Sequence, residues 1–290
     1  MIDEQDDSTT ESSVPTPPQF PAEIPTARPV IDMPGIDARP IDAMLLTPIS
    51  KGSAWTDMGL LLLILIISEF AVGGVAGFFF TGDVHNKTET ANFERSLLIP
   101  LITIRSVVVL LAVTWLTHRR HLPVVANGMT WRKFPLNALF GMGATGAAYM
   151  MILGWLLTCS FLWPEIVEGM QENTGRIMSL IPKQHPVVFA LISLMIGVYE
   201  EILFRGFLMT RLRRVSGSWV VAVLVTTAIF TAMHAPDQNH AVLVPIAILG
   251  IVFSMVTIWR RSLVPAIVGH MLFDLSQFLT LYFMAGDTWQ

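Results

Sequence analysis

Charge is what this sequence has least of: Asp, Glu, Lys and Arg make up 14% of its 290 residues, against roughly 25% in an ordinary soluble domain. With 53% hydrophobic residues and a mean hydropathy of +0.59, that shortfall excludes a soluble globular chain and indicates one built for lipid. Cysteine is nearly absent as well. The single Cys159 excludes an intrachain disulfide and any multi-cysteine metal site, and beside Leu156, Leu157 and Phe161 it reads as a packed thiol. Positive charge is scarce. The net charge is −4, with −7 carried by residues 1–50, so nucleic acid is not an implied partner.

What is present falls into two unequal parts. Residues 1–50 hold Pro15, Pro17, Pro18, Pro21, Pro25, Pro29, Pro34, Pro40 and Pro48 among Ser, Thr and Asp. Such a segment has too little apolar surface to offset its ordering entropy, which predicts a disordered acidic tail. From Met58 onward, apolar runs of the ~20 residues needed to cross a bilayer alternate with short polar connectors. The pattern predicts an all-α polytopic bundle of about seven transmembrane helices, near 58–80, 97–117, 136–158, 187–208, 217–234, 241–259 and 262–284. The long connector 163–186 is expected to form a short surface helix. Arg119, Arg120, Arg132, Lys133, Arg211, Arg213, Arg214, Arg260 and Arg261 fall on one set of connectors, and only Lys87, Arg95, Arg176 and Lys183 on the other. The basic set belongs in the cytoplasm, with the amino terminus on that side.

Some intramembrane features predict packing. Gly73 with Gly77, and Gly143 with Ala147, are small pairs spaced for close helix approach. Glu69 and Arg105 lie mid-span at matching depth, which predicts a buried ion pair joining the first two helices.

The remaining intramembrane charge is concentrated in three later spans. The fourth carries Glu200-Glu201-Ile202-Leu203-Phe204-Arg205, the fifth Phe230-Thr231-Ala232-Met233-His234, and the seventh His270-Met271-Leu272-Phe273-Asp274. A charged side chain at mid-bilayer costs roughly 2.5–3.5 kcal/mol on insertion scales, so such residues indicate function. Glu201 and Arg205, four apart, share a helix face and can pair. Glu200 points about 100° away, free to serve as a general base. His270 and Asp274 are also four apart, and the carboxylate can hold the imidazole in one tautomer. His234 has no carboxylate near it in sequence except Asp237. Convergence of these groups within a membrane suits hydrolysis of a peptide bond, which needs a water, a base and donors for an oxyanion. The zinc motif His-Glu-x-x-His, the rhomboid-type Gly-x-Ser-Gly and the aspartyl-type Gly-x-Gly-Asp are all missing.

Glu-Glu-x-x-Phe-Arg at 200–205, Phe-x-x-x-His at 230–234 and His-x-x-x-Asp at 270–274, in that order, resemble the CAAX protease and bacteriocin-processing enzyme family. The resemblance covers roughly residues 185–282 and leaves residues 1–50 outside it. It implies a glutamate-dependent intramembrane endopeptidase acting on a membrane-associated peptide or protein. It further implies that Glu200 and His234 activate the attacking water, that Glu201 and Arg205 support them, and that His270 and position 274 stabilise the oxyanion. Many members carry Asn at that last position, where this chain has Asp274, and an ionised Asp cannot donate. No cofactor is implied, although two His with carboxylates would also permit zinc. The domains expected are the tail (1–50), a helical part (51–186) and a catalytic membrane part (187–284). The setting expected is a bacterial inner membrane. The rival reading is a non-catalytic immunity or transport scaffold that keeps these charges for ion pairing.

Overall fold

Lipid offers no water to the backbone, so an apolar run closes its own amide hydrogen bonds and becomes a helix. The computed structural model describes residues 49–79, 87–122, 127–131, 133–182, 184–235 and 240–284, all within one compact unit, Arg39–Gln290. Every regular element among them is helical: α1 (Lys51–Phe79), α2 (Lys87–Arg119), α3 (Phe134–Leu162), α4 (Pro164–Leu180), α5 (Pro186–Ser216), α6 (Trp219–His234), α7 (His240–Arg260) and α8 (Val264–Met284). The connector helix predicted between 163 and 186 is α4. Residues 1–48, Asp237 and the side chains of Glu69, Gly73 and Gly77 lie outside the described residues, and so do the readings that rest on them.

Among the described residues, six helices are long and apolar enough to cross a membrane. The predicted fifth span is different. As α6 it has 16 residues, about 24 Å at 1.5 Å per residue, short of a ~30 Å hydrocarbon core. Its predecessor is longer than the hydropathy pattern indicates, because α5 continues through the arginine cluster to Ser216. Arg211 is not at an aqueous boundary. It is fully buried, its guanidinium 3.8 Å from the Phe207 ring centroid and donating to Asn127 Oδ1 at 3.3 Å.

The turn that follows aligns the two helices. Gly217 adopts φ 73°, the left-handed conformation a helix C-cap favours, and donates its N–H to the Arg213 carbonyl. Ser218 then caps α6 by accepting from the Val221 N–H. Two residues thus reverse the chain, and α6 runs back along α5. Sixteen positions separate Glu200 from Ser216 and fifteen separate Trp219 from His234, about 24 and 22 Å. A span ending at 208 would leave these two residues at depths about 12 Å apart; the longer α5 removes that mismatch.

Within α5 the hydrogen bonding widens to a π-helix over Ile202–Leu208, starting immediately after Glu201. Gly206 sits in this stretch because a Cβ there would lie 2.6 Å from the Asn127 carbonyl oxygen. The other close approach joins α3 to α8. A Cβ on Gly141 would meet the Pro265 carbonyl at 2.5 Å, and Thr145 Oγ1 donates to the Gly269 carbonyl at 2.9 Å. The face of α3 used for packing is therefore Gly141 with Ala144, Thr145 and Ala148; Gly143 and Ala147, the pair singled out by spacing, are exposed. Accordingly, Gly141→Ala should destabilise the protein by about 1–3 kcal/mol through overpacking. Gly143→Ala, with nothing within 4 Å of its Cβ, should be neutral or stabilise by up to ~1 kcal/mol. Thermal midpoints in detergent measure the difference, and equal shifts would contradict this packing.

Candidate active site

Adjacent glutamates on a helix point about 100° apart, and α5 uses that angle to divide their tasks. Glu201 faces the protein and is fully buried. Its Oε1 accepts from Arg205 Nη1 at 2.8 Å, the pairing its spacing predicts, and also lies 2.8 Å from His270 Nδ1 on α8. A carboxylate only accepts, so Nδ1 carries the proton in this bond. Arg205 reaches further, with Nη2 donating to the Gly250 carbonyl of α7 at 3.3 Å and its guanidinium 4.7 Å above the Phe230 ring of α6. One carboxylate thereby gathers α5, α6, α7 and α8.

His270 differs from expectation in its partner. Its Nε2 is 3.6 Å from Asp274 Oδ2, beyond a good hydrogen bond, whereas Glu201 holds the ring through Nδ1 at 2.8 Å. The nearer carboxylate comes from another helix, because the i,i+4 spacing sets proximity on a face but not rotamer. Nε2 also lies 3.7 Å from Glu200 Oε2, and the Phe253 ring is stacked 5.7 Å away.

Glu200 faces the other way. The Tyr199 hydroxyl donates to its Oε1 at 2.9 Å, and its buried Oε2 has no hydrogen-bond partner among the described residues. Glu200 and Tyr199 line a cavity of about 100 Å³ with His234 of α6 and Arg105 of α2, the rest of its wall being apolar groups such as Leu65, Val109 and Phe204. His234 Nδ1 is 2.8 Å from the Phe230 carbonyl. A carbonyl only accepts, so Nδ1–H points there and Nε2 of the neutral ring is left as an acceptor.

Two of the six predicted site residues, Glu200 and His234, therefore share the cavity wall. Glu201, Arg205 and His270 form the buried network behind Glu200, with Asp274 at its edge, and none of these four lines the cavity. Two polar lining residues, Tyr199 and Arg105, were not in the predicted set. Tyr199 carried a signal, since it is a polar-tipped residue next to Glu200 in an otherwise apolar run. Arg105 carried one too, as an intramembrane cation, but its matching depth with Glu69 drew it into a structural pairing. A larger cavity of about 370 Å³ lies beside Trp155, Glu165 and His240, and none of the predicted site residues lines it. Among the described residues, no three His, Cys, Asp or Glu side chains converge in a geometry that would hold a metal ion.

Comparison with known proteins adds the lineage of this segment. Residues 182–276 match the family described as type II CAAX prenyl endopeptidase Rce1-like. All six predicted site residues fall inside the matched segment; Arg105 lies outside it. The chain is also 25% identical over 144 residues to the membrane-embedded CAAX protease MroQ of Staphylococcus aureus (strain USA300), covering 48% of this chain and 57% of that protein. It thus spans a little over half the length of the curated relative it matches. No solved structure matches. With six helices of spanning length and a membrane-embedded relative, the protein is an integral membrane protein.

The division of labour between the two glutamates is testable without a substrate. Glu201→Gln strips the ion partner from a fully buried Arg205 and should cost about 3–5 kcal/mol. Glu200→Gln keeps an acceptor for the Tyr199 hydroxyl and should change stability by less than about 1 kcal/mol. Comparable losses for both in detergent melts would show that Glu200 is also structural.

Proposed function

We propose that this protein is an intramembrane endopeptidase that hydrolyses a peptide bond in a membrane-associated peptide or protein. Glu200 acts as general base and His234 orients the attacking water. One observation carries the reading: Glu200 and His234, brought from separate helices, line one small cavity in a bundle of membrane-length helices. About three waters would fill 100 Å³ at liquid density, so a water and a carbonyl group can meet there. Glu200 Oε2 is a buried acceptor in need of a donor, which is the environment of a carboxylate that takes a proton from water. The Nε2 lone pair of His234 supplies a second acceptor to fix that water's orientation. Tyr199 holds the other Glu200 oxygen, and the Glu201–Arg205–His270 network keeps the base from collapsing onto α8. The match of residues 182–276 to the Rce1-like family supports a protease over the scaffold reading.

The chemistry proposed runs through protein side chains without a metal. By the distribution of basic residues, the arginine-rich end of the bundle faces the cytoplasm of a bacterial inner membrane.

Purified protein in liposomes, presented with a quenched fluorogenic peptide in farnesylated and unprenylated forms, tests the assignment. Glu200→Gln should lower kcat by roughly 10²–10⁴-fold at unchanged expression and melting, and His234→Gln should fall in the same range. Wild-type cleavage that survives in the Glu200→Gln protein would remove Glu200 as base. Chelators should leave the wild-type rate unchanged; a loss restored by added zinc would replace this mechanism with a metal-dependent one.

A further inference from the structure

Hydrolysis consumes one water per peptide bond, and a cavity inside a membrane bundle has to be supplied with it. The threonines of the bundle divide into two kinds. A threonine in a helix commonly returns its hydroxyl proton to the carbonyl one turn earlier. Thr117 does so to Val113 at 2.7 Å, Thr210 to Gly206 at 2.8 Å and Thr280 to Ser276 at 2.7 Å. Thr226, Thr227 and Thr231 of α6 and Thr257 of α7 make no such bond, and their buried hydroxyls have no hydrogen-bond partner among the described residues. Thr226, Thr227 and Thr257 are only 1%, 6% and 0% exposed, so bulk solvent does not reach them. A buried hydroxyl left unpaired is costly, and a water shared between such groups removes the cost.

Helix geometry puts these hydroxyls in order. Thr227, Thr231 and His234 follow the i, i+4, i+7 spacing that places them on one face of α6, and Gly250, Ser254 and Thr257 repeat it on α7. The two faces meet where Gly250 lies against Thr227: a Cβ on Gly250 would stand 2.7 Å from Thr227 Cγ2 and 3.2 Å from its Oγ1. From Trp219, α6 runs away from the arginine cluster, and α7 returns to Arg260. From the crossing, therefore, the α6 face leads about 10 Å to His234 on the cavity wall, and the α7 face about 10 Å to Thr257 near the arginine-rich end. At the crossing the Gly250 carbonyl accepts from Ser254 Oγ at 2.7 Å and from Arg205 Nη2 at 3.3 Å, which ties the seam to the network behind Glu200. We propose that the α6–α7 seam binds a file of water molecules on these hydroxyls, and that the file carries water from the arginine-rich end to the cavity of Glu200 and His234. The supply role rests on the endopeptidase reading above; the binding of water by the seam does not.

The full-length protein tests this with Thr227→Val, Thr231→Val and Thr257→Val, which nearly keep side-chain shape and remove the hydroxyl. Thr227→Ser keeps the hydroxyl, and Thr158→Val, at an exposed position of α3 where the hydroxyl bonds back to Gly154, is the control. X-ray radiolysis turns bound water into hydroxyl radical where it sits. Buried Phe230, next to Thr231 in the chain, should therefore be oxidised in the wild type and about threefold less in Thr231→Val. Melting midpoints in detergent should fall in the three seam valine variants, since each takes a partner from a shared water. Dry hydroxyls would give the opposite sign, because their removal relieves an unpaired group. In liposomes with the fluorogenic peptide, the seam variants should lose roughly tenfold in kcat at unchanged KM, with Thr227→Ser and Thr158→Val within about twofold of wild type. An unlabelled Phe230, raised midpoints, or a wild-type kcat in all three seam variants would each overturn the proposal. If Thr227→Val, packed on Gly250, does not fold, Thr231→Val and Thr257→Val decide. A wild-type protein that cleaves neither peptide form removes the endopeptidase reading, while labelling and midpoints still decide whether the seam holds water.

Discussion

The buried carboxylate of Glu201 is the constraint on which the membrane core depends. Ionised side chains in a low-dielectric interior are tolerated only when their partners are close and well aligned. Glu201 Oε1 has two partners at 2.8 Å, a guanidinium on its own helix and an imidazole on α8. Arg205 then extends the link to α7 through the Gly250 carbonyl and to α6 through the Phe230 ring. In lipid, where apolar burial gives helices no reason to prefer one another, polar links of this kind specify which faces meet. The Gly141–Gly269 approach and the Thr145 hydrogen bond complete the seam on the other side of α8. Once α8 is fixed in rotation and depth, His270 has a single place to be.

Depth on the remaining side is set by length. The Gly217–Ser218 reversal sends α6 back along α5, and α6 stops after 16 residues, at His234. There the His234 side chain bonds back to the Phe230 carbonyl one turn earlier. The imidazole is thus also a terminus residue, which ties its tautomer to the helix geometry. The π-helix of Ile202–Leu208 adds backbone irregularity where α5 must carry two glutamates, an arginine and a close approach by Asn127, and such widened turns recur at functional sites.

Local chemistry was readable in the sequence and tertiary choice was not. Four-residue spacing is enough to pair Glu201 with Arg205, and hydropathy is enough to find the apolar helices, but it starts α1 at 58 and α2 at 97 where they begin at Lys51 and Lys87, and it ends α5 at 208 where it runs to Ser216. It fails at Arg211, because a window of residues cannot register that Phe207 and Asn127 from this fold accommodate the guanidinium. It fails again on α3, where Gly143–Ala147 and Gly141–Thr145 carry equivalent small-residue signals and only the position of Pro265 and Gly269 distinguishes them. His270 shows the same limit: both Asp274 and Glu201 are plausible partners by chemistry, and only the packing of α5 against α8 selects the second. The direction in which Arg105 faces depends on where α1, α5 and α6 stand around α2, information that lies far from position 105.

Three consecutive residues, Tyr199, Glu200 and Glu201, show how an α-helix can build a site with a front and a back. Turning about 100° per residue, it presents Glu201 to the network and Glu200 to the cavity, with Tyr199 steadying the latter from beside it. The back is rich in acceptors, since Glu201, Asp274 and Glu200 all lie within 4 Å of one imidazole, and it is balanced there by Arg205. An acceptor-rich back suits holding a base in place, because every neighbour it could collapse onto is either engaged or repels it.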